Sequence, residues 1–284
     1  MSVHGDQNIL FYSLLEKSLT RQLVGFNDEI ISATFLSATG KDSHLAIAAN
    51  SSLIRVYSAT ANDARLLSGH SGIVLCLDRS ADGRLLASGS KDKSARLWSF
   101  SPTECRWHCI GVCEGHAESV GAIALSRKTE SRGEESGMLR FMFTGSQDRT
   151  IKMWDLSSLD PMVDESKRCK SLATQKAHDK DINSLDVSPN DQFLASGSQD
   201  RMAKVYEITY VVGSAGVTKA DIKLIGTCKG HKRGVWTVKF GHAGRVLATG
   251  SGDKTVKLWN LDDFTCIKVI YSVVAEGFSD VLYG

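Results

Sequence analysis

The chain has 284 residues, 42% of them hydrophobic and 23% charged, with a formal net charge of +2. That composition is ordinary for a soluble globular protein of one or two domains, and the charge is too mild to imply nucleic acid or a membrane by itself. The N-terminus lacks a basic region and a long apolar core, so it does not read as a signal peptide, and no apolar run approaches the roughly 20 residues a bilayer requires. Seven cysteines, an odd number with no framework spacing, fit a reducing compartment.

The first predicted element is the strand Gln7–Tyr12, QNILFY, bounded by polar residues, with Asp6 six positions before Tyr12. A second strand is expected over Arg21–Val24. Residues 1–25 thus read as the third and fourth strands of a repeat unit, a half-blade or linker. Residues 26–68 supply IISATFL, HLAIAAN and LIRVYS. The next unit, 69–114, opens on Gly69-His70 and supplies IVLCLDRS, LLASGS, SARLWSF and a fourth strand near Trp107–Val112. The unit 115–176 opens on Gly115-His116 and carries two insertions. One is the polar RKTESRGEESG, read as a surface loop, and the other is SSLDPMVDESKRCKS, whose Asp160–Lys170 part reads as a spacer. The unit 177–229 contains a stretch, YVVGSAGVTKAD, that reads as a long flexible loop. The unit 230–270 ends on TVKLWNL and CIKVI, and residues 271–284 match no unit.

Four of these units share a polar pattern. His70, Ser88, Asp92 and Trp98 recur as His178, Ser196, Asp200 and Tyr206, and again as His231, Thr249, Asp253 and Trp259, each with 22 positions from His to Asp. His116, Thr144, Asp148 and Trp154 keep the last two spacings, with ten residues added between His and Thr. In the unit 26–68, Phe26, Ile47 and Ser51 stand where the pattern has His, Ser/Thr and Asp, and only Tyr57 remains. Repetition at this period means stacked supersecondary units. Four short strands per unit, with turn residues between them, read as the blades of an all-β propeller.

The pattern resembles the WD repeat, although the literal dipeptide stands only at Trp154-Asp155. The resemblance implies that the four side chains of each unit meet. The carboxylate would accept from the His ring, and the hydroxyl would link the other ring nitrogen to the indole. A buried network of that kind pins the turns, and loss of one member orphans the others at about 1–3 kcal/mol per group. The unit 26–68 lacks the network and is expected to be the least rigid. Its amides should exchange with solvent faster than those of 177–229.

A Ser, a His and an Asp also suggest a hydrolase. A catalytic triad occurs once per site and needs an exposed nucleophile, whereas this set occurs four times. GxSxG, P-loop and HExxH motifs are absent, so no catalytic residue is assigned. Cys105, Cys109 and Cys113, with His108 and His116 nearby, invite a metal. On an extended strand four residues span about 13 Å, too far for sulfurs that must each approach zinc within about 2.3 Å. No cofactor, metal or small-molecule substrate is therefore expected. Lys229, Lys232 and Arg233 flank Gly230-His231, and Lys180 sits at the equivalent turn. These four are candidate partner contacts on one rim, diluted by Asp179 and Asp181.

AHDKDINSLDVSPNDQFLASGSQDR (177–201), KGHKRGVWTVKF and LDDFTCIKV are more specific. They resemble the transducin-beta-like component of the small-subunit processome, a tandem-propeller protein of the UTP-B subcomplex. That resemblance runs from about Gln7 to Ile270 and includes the missing His and Asp of the unit 26–68. It implies a non-enzymatic scaffold in the nucleolus. Its partners would be other WD-repeat processome proteins, the U-three small nucleolar ribonucleoprotein and the precursor of 18S ribosomal RNA, with no membrane contact. Members of that family have two propellers and a helical C-terminal domain. The chain is accordingly expected to be a fragment, with five blades and a half-blade that would need two more strands to close as six. Two rival readings stay open. One is an interaction adaptor outside the nucleolus, such as a ubiquitin-ligase substrate receptor, and the other is direct RNA binding by the basic rim.

Overall fold

The computed structural model describes residues 2–3, 9–13, 15–23, 29–37, 43–58, 64–101, 106–128, 130–132, 135–138, 140–161, 165–213, 216–242 and 245–271. The expectations that fall on Phe26, Cys105 and the tail 272–284 lie outside these residues.

Strands β1 (Ser2–Val3), β2 (Ile9–Ser13) and β3 (Ser18–Leu23) form a small antiparallel sheet in that order. Five blades follow. Blade 1 is β4 (Ile30–Leu36), β5 (His44–Ala49), β6 (Ile54–Ser58) and β7 (Ala64–Leu67). Blade 2 is β8 (Val74–Arg79), β9 (Leu85–Ser90), β10 (Ser94–Ser101) and β11 (Arg106–Glu114). Blade 3 begins with β12 (Val120–Leu125), carries the hairpin β13 (Glu130–Arg132) and β14 (Glu135–Met138), and continues with β15 (Phe141–Ser146) and β16 (Thr150–Asp155). After β17 (Lys167–Arg168), β18 (Lys170–Lys176) completes it. Blade 4 is β19 (Ile182–Val187), β20 (Phe193–Ser198), β21 (Met202–Gly213) and β22 (Gly216–Lys229). Blade 5 is β23 (Val235–Phe240), β24 (Val246–Ser251), β25 (Thr255–Asn260) and β26 (Cys266–Tyr271). The architecture is an all-β, five-bladed propeller arrangement, and the innermost strands β4, β8, β12, β19 and β23 lie side by side.

The apolar cores lie between blades rather than within them. In a strand successive side chains point to opposite faces, so a blade packed on both sides needs apolar residues in both registers. Strand β9, LLASGS, is buried along its whole length. Its Leu86 joins the core shared with blade 1, and its Leu85 and Ala87 join the core shared with blade 3. Tyr206 and Phe143 meet between blades 3 and 4, and Val205 and Trp259 between blades 4 and 5. The N-terminal sheet packs Ile9 and Phe11 against Ala33, Leu45 and Ile47 of blade 1.

Glycines decide how closely the blades approach. Gly89, Gly145 and Gly197 occupy the same position in β9, β15 and β20. A Cβ there would fall within 2.8, 2.6 and 2.8 Å of Val120, Ile182 and Val235, the residues that begin the next blade's inner strand. Blade 1 has Ala48 at this position, and in blade 5 a Cβ on Gly250 would meet only Thr237 of its own sheet. Overpacking of this kind costs about 1–3 kcal/mol. Gly145→Ala is thus expected to lower the thermal midpoint by several degrees and Gly250→Ala far less, a contrast that scanning calorimetry on the two variants reads directly.

Three loop expectations require correction. YVVGSAGVTKAD belongs to one long hairpin, in which Thr209 pairs with Asp221 and Val211 with Lys219. Strands β21 and β22 run beyond their blade, and their pairing extends from Met202 with Lys229 to Gly213 with Gly216, with two register shifts on the way. The polar RKTESRGEESG likewise contains a hairpin, with Arg132 opposite Glu135. The spacer Asp160–Lys170 contains β17, which pairs in parallel with β11 of the preceding blade, Gly111 with Lys167 and Val112 with Arg168. Blade 2 therefore has five strands where four were expected. Leu156, Leu159 and Cys169 from this crossover sit in the core between blades 2 and 3, and Gly111 makes room for Leu159.

Candidate functional site

Four of the blades carry the same polar chain. In blade 2 the His70 Nδ1 lies 2.8 Å from Asp92 Oδ2, and its Nε2 lies 2.8 Å from Ser88 Oγ. Trp98 Nε1–H donates to the same Ser88 oxygen at 2.9 Å. The protons can be assigned from this geometry. The indole donates to the hydroxyl, the hydroxyl donates to Nε2, and Nδ1–H donates to the carboxylate. A neutral imidazole completes that relay without an orphan. In blade 3 the distances are 2.8 Å for His116–Asp148, 2.7 Å for His116–Thr144 and 2.8 Å for Trp154–Thr144. In blade 5 they are 3.0 Å for His231–Asp253, 2.7 Å for His231–Thr249 and 2.8 Å for Trp259–Thr249. Blade 4 brings His178 to Asp200 at 2.8 Å and to Ser196 at 2.7 Å, and the Tyr206 hydroxyl stands in for the indole by bonding to Ser196, with the Ala177 carbonyl also within 3.5 Å.

The carboxylates are further bound. Asp92 accepts from Ser71 N–H, Ser94 N–H and Ser94 Oγ–H, and Asp148 from Ala117 N–H, Thr150 N–H and Thr150 Oγ1–H. Burial alone would raise these acids. The hydrogen bonds outweigh it and hold Asp92, Asp148 and Asp200 at about 2 and push Asp253 below the usual range. His70, His116 and His231 are lowered, because burial disfavours the imidazolium more than the neighbouring carboxylate favours it. A second serine, two residues before each Asp, also recurs. Ser90, Ser146, Ser198 and Ser251 each donate to a carbonyl of the preceding turn and accept from the Asp N–H. The spacing Ser-x-Asp is visible in all four units, and sequence reasoning passed over it.

Ser88, Thr144, Ser196 and Thr249 have no exposed surface, and the histidines are buried. A reacting group must reach substrate, so these residues act as fasteners of the turns.

A different polar group ties the blades to one another near the propeller axis. Asp78 Oδ2 accepts from Leu125 N–H of the next blade at 2.8 Å, and Asp186 Oδ2 accepts from Phe240 N–H at 2.8 Å. Arg127 spans them, with Nη1 at 3.4 Å from Asp78 and Nη2 at 3.0 Å from Asp186. Lys239 reaches Asp186 at 3.0 Å. Four successive blades are thus joined by one ionic cluster. The partners are 49 to 59 positions apart, so no local spacing announces it.

Of the four basic candidates, Lys180 and Arg233 line a cleft on the rim between blades 4 and 5, together with Arg201, Met202 and Trp236. Lys229 ends β22 and Lys232 is exposed on the adjoining turn; the structure does not bring either into that cleft. Cys109 and Cys113 lie on β11, the first beside Ser166 and the second buried between blades 2 and 3.

A family model described as "WD domain, G-beta repeat" matches residues 62–99, 107–155, 169–207 and 222–260. Transducin beta-like protein 3 of Rattus norvegicus is 38% identical over 244 residues, which cover 84% of this chain and 28% of that protein. The Homo sapiens protein of the same name is 37% identical over 244 residues, 84% of this chain and 27% of its own. The U3 small nucleolar RNA-associated protein 13 of Saccharomyces cerevisiae is 33% identical over 203 residues, 68% of this chain and 23% of its own. The chain spans about a quarter of the length of these relatives.

Proposed function

The chain belongs to the WD-repeat family, and from that premise we propose that it is a non-catalytic scaffold of ribosomal small-subunit biogenesis. In this reading it works in the nucleolus, docks other WD-repeat proteins of the processome, and supports maturation of 18S pre-ribosomal RNA in company with the U-three ribonucleoprotein. The observation that carries the reading is the identity of 38% across 84% of the chain to transducin beta-like protein 3, with U3 small nucleolar RNA-associated protein 13 in the same series. The site geometry supports a scaffold as well. Its recurrent Ser, His and Asp side chains are spent on holding turns, which leaves rims and loops to meet partners.

The test is affinity purification of the tagged chain from cells of its source organism, with the RNA and the proteins identified together. Enrichment of U-three RNA with processome proteins is the expected result. Recovery of cullin components without U-three RNA would replace the proposal with a ubiquitin-ligase adaptor.

A further inference from the structure

The residue that follows each network aspartate is a cation in the left-handed region. Lys93, Arg149, Arg201 and Lys254 have φ of 69°, 71°, 74° and 66°. This region favours glycine, and a non-glycine residue there carries a conformational cost that persists only where the surroundings hold it. Four consecutive blades place a long basic side chain in it, at the same turn, on the same rim. Lys93 is tied to the Ala117 carbonyl at 2.7 Å. Arg149, Arg201 and Lys254 are exposed, and their side chains make no hydrogen bond or ion pair among the described residues. Lys180 and Arg233 are likewise exposed and unpaired between blades 4 and 5.

The same rim presents Trp236, 49% exposed, while the other four tryptophans of the chain are buried. Its indole runs past Gly252, where a Cβ would fall 2.8 Å from Trp236 Nε1. The equivalent positions in blades 2, 3 and 4 are Lys91, Gln147 and Gln199, so a glycine stands only where an aromatic needs the space. Leu75, Gly121 and Asn183 occupy the positions equivalent to Trp236 itself.

The geometry points to a binding surface for single-stranded nucleic acid on this rim, with Arg149, Arg201 and Lys254 on successive phosphates and Trp236 stacked on a base. Cations repeated once per blade suit a ligand whose charge repeats along its length, and an open aromatic face suits an unpaired base of any sequence. A short acidic peptide would need one cluster, whereas these cations are spread over three blades and Asp179 and Glu118 interrupt them. The inference goes beyond the assembly reading and does not depend on it, since it concerns two purified components.

The test is fluorescence anisotropy of the whole chain with a labelled single-stranded RNA of about 12 nucleotides, read over a range of salt concentrations. Tryptophan emission gives a second readout, because a base stacked on the exposed Trp236 will quench it. The decisive variant is R149G/R201G/K254G, which removes three charges and places glycine where the backbone already favours it, so the fold is kept. Affinity should fall about 100-fold near 0.1 M salt, and the slope of log affinity against log salt should shrink by about 2. Trp236→Phe should abolish the quenching and retain most of the affinity. Wild-type affinity in the triple variant with an unchanged melting temperature would overturn the proposal. So would tighter binding of polyglutamate than of RNA, or equal binding of a duplex of the same length.

Discussion

Replacing Arg127 with methionine is expected to lower stability by about 3 kcal/mol, a loss of roughly 6–10 °C in thermal midpoint. The guanidinium lies between Asp78 and Asp186, whose side chains are 14% and 6% exposed. Taking it away leaves two carboxylates in a partly dry site, and an unpaired buried charge costs more than the pair contributed. Asp186 keeps Lys239 at 3.0 Å and its bond from Phe240 N–H, so most of the loss falls on Asp78. Arg127→Met combined with Asp78→Asn is therefore expected to recover about half the loss, because an amide oxygen can still accept from Leu125 N–H without carrying charge. Equal melting temperatures for wild type and the single variant would show that the cluster does not hold the blades.

Stability should collapse between pH 4 and pH 2. Asp92, Asp148 and Asp200 fold with a pKa of about 2 against an ordinary value of 3.8. An acid depressed on folding contributes stability that is complete above its unfolded pKa and is lost as pH falls through its folded one. Each shift is about 2 kcal/mol, so the three together outweigh any single contact in the molecule. His70, His116 and His231 act in the same direction and begin earlier. Their pKa values are lowered on folding, so the unfolded chain takes up protons first once pH drops below about 6.5. Urea midpoints measured from pH 7 to pH 2.5 should decline gently to pH 4 and then steeply. In the variant Asp92→Asn/Asp148→Asn/Asp200→Asn the steep limb should be much reduced from an already lower starting point. A steep limb of the same size in that variant would place the acid sensitivity elsewhere.

The repeated chain His–Ser/Thr–aromatic, closed by Asp, was legible because its members return at constant spacing within each unit. The strands were legible because apolar runs alternate with turn residues, as in LLASGS and TVKLWN. What joins one blade to the next was not legible. Asp78 to Leu125, Asp186 to Phe240, and Gly145 to Ile182 are each meetings of two units, and neither unit alone shows the need. The crossover β17 is not legible in the sequence, because two residues pairing in parallel with a neighbouring sheet have no apolar pattern of their own. The hairpin of β21 and β22 is not legible because the length and composition of YVVGSAGVTKAD read as a flexible loop, although Gly213 pairs with Gly216 near its turn. Tyr206 holds the aromatic position with a hydroxyl that meets Ser196 and also lies near the Ala177 carbonyl, a second neighbour that the repeat spacing does not show.

The crossover also has a mechanical consequence. Strand β17 is drawn from the span between β16 and β18 and stitched to the outer edge of β11, so it crosses the seam between blades 2 and 3. A force that pulls the arc open at that seam loads the two backbone pairings of β17 and the leucines beneath them in shear, along the strands. The other seams combine an apolar core with polar ties of their own, Leu77 N–H to Ser32 between blades 1 and 2, Arg127 to Asp186 between blades 3 and 4, and Phe240 N–H to Asp186 between blades 4 and 5. Blades 2 and 3 thus share a strand-to-strand pairing in addition to the apolar and polar contacts that serve the neighbouring seams.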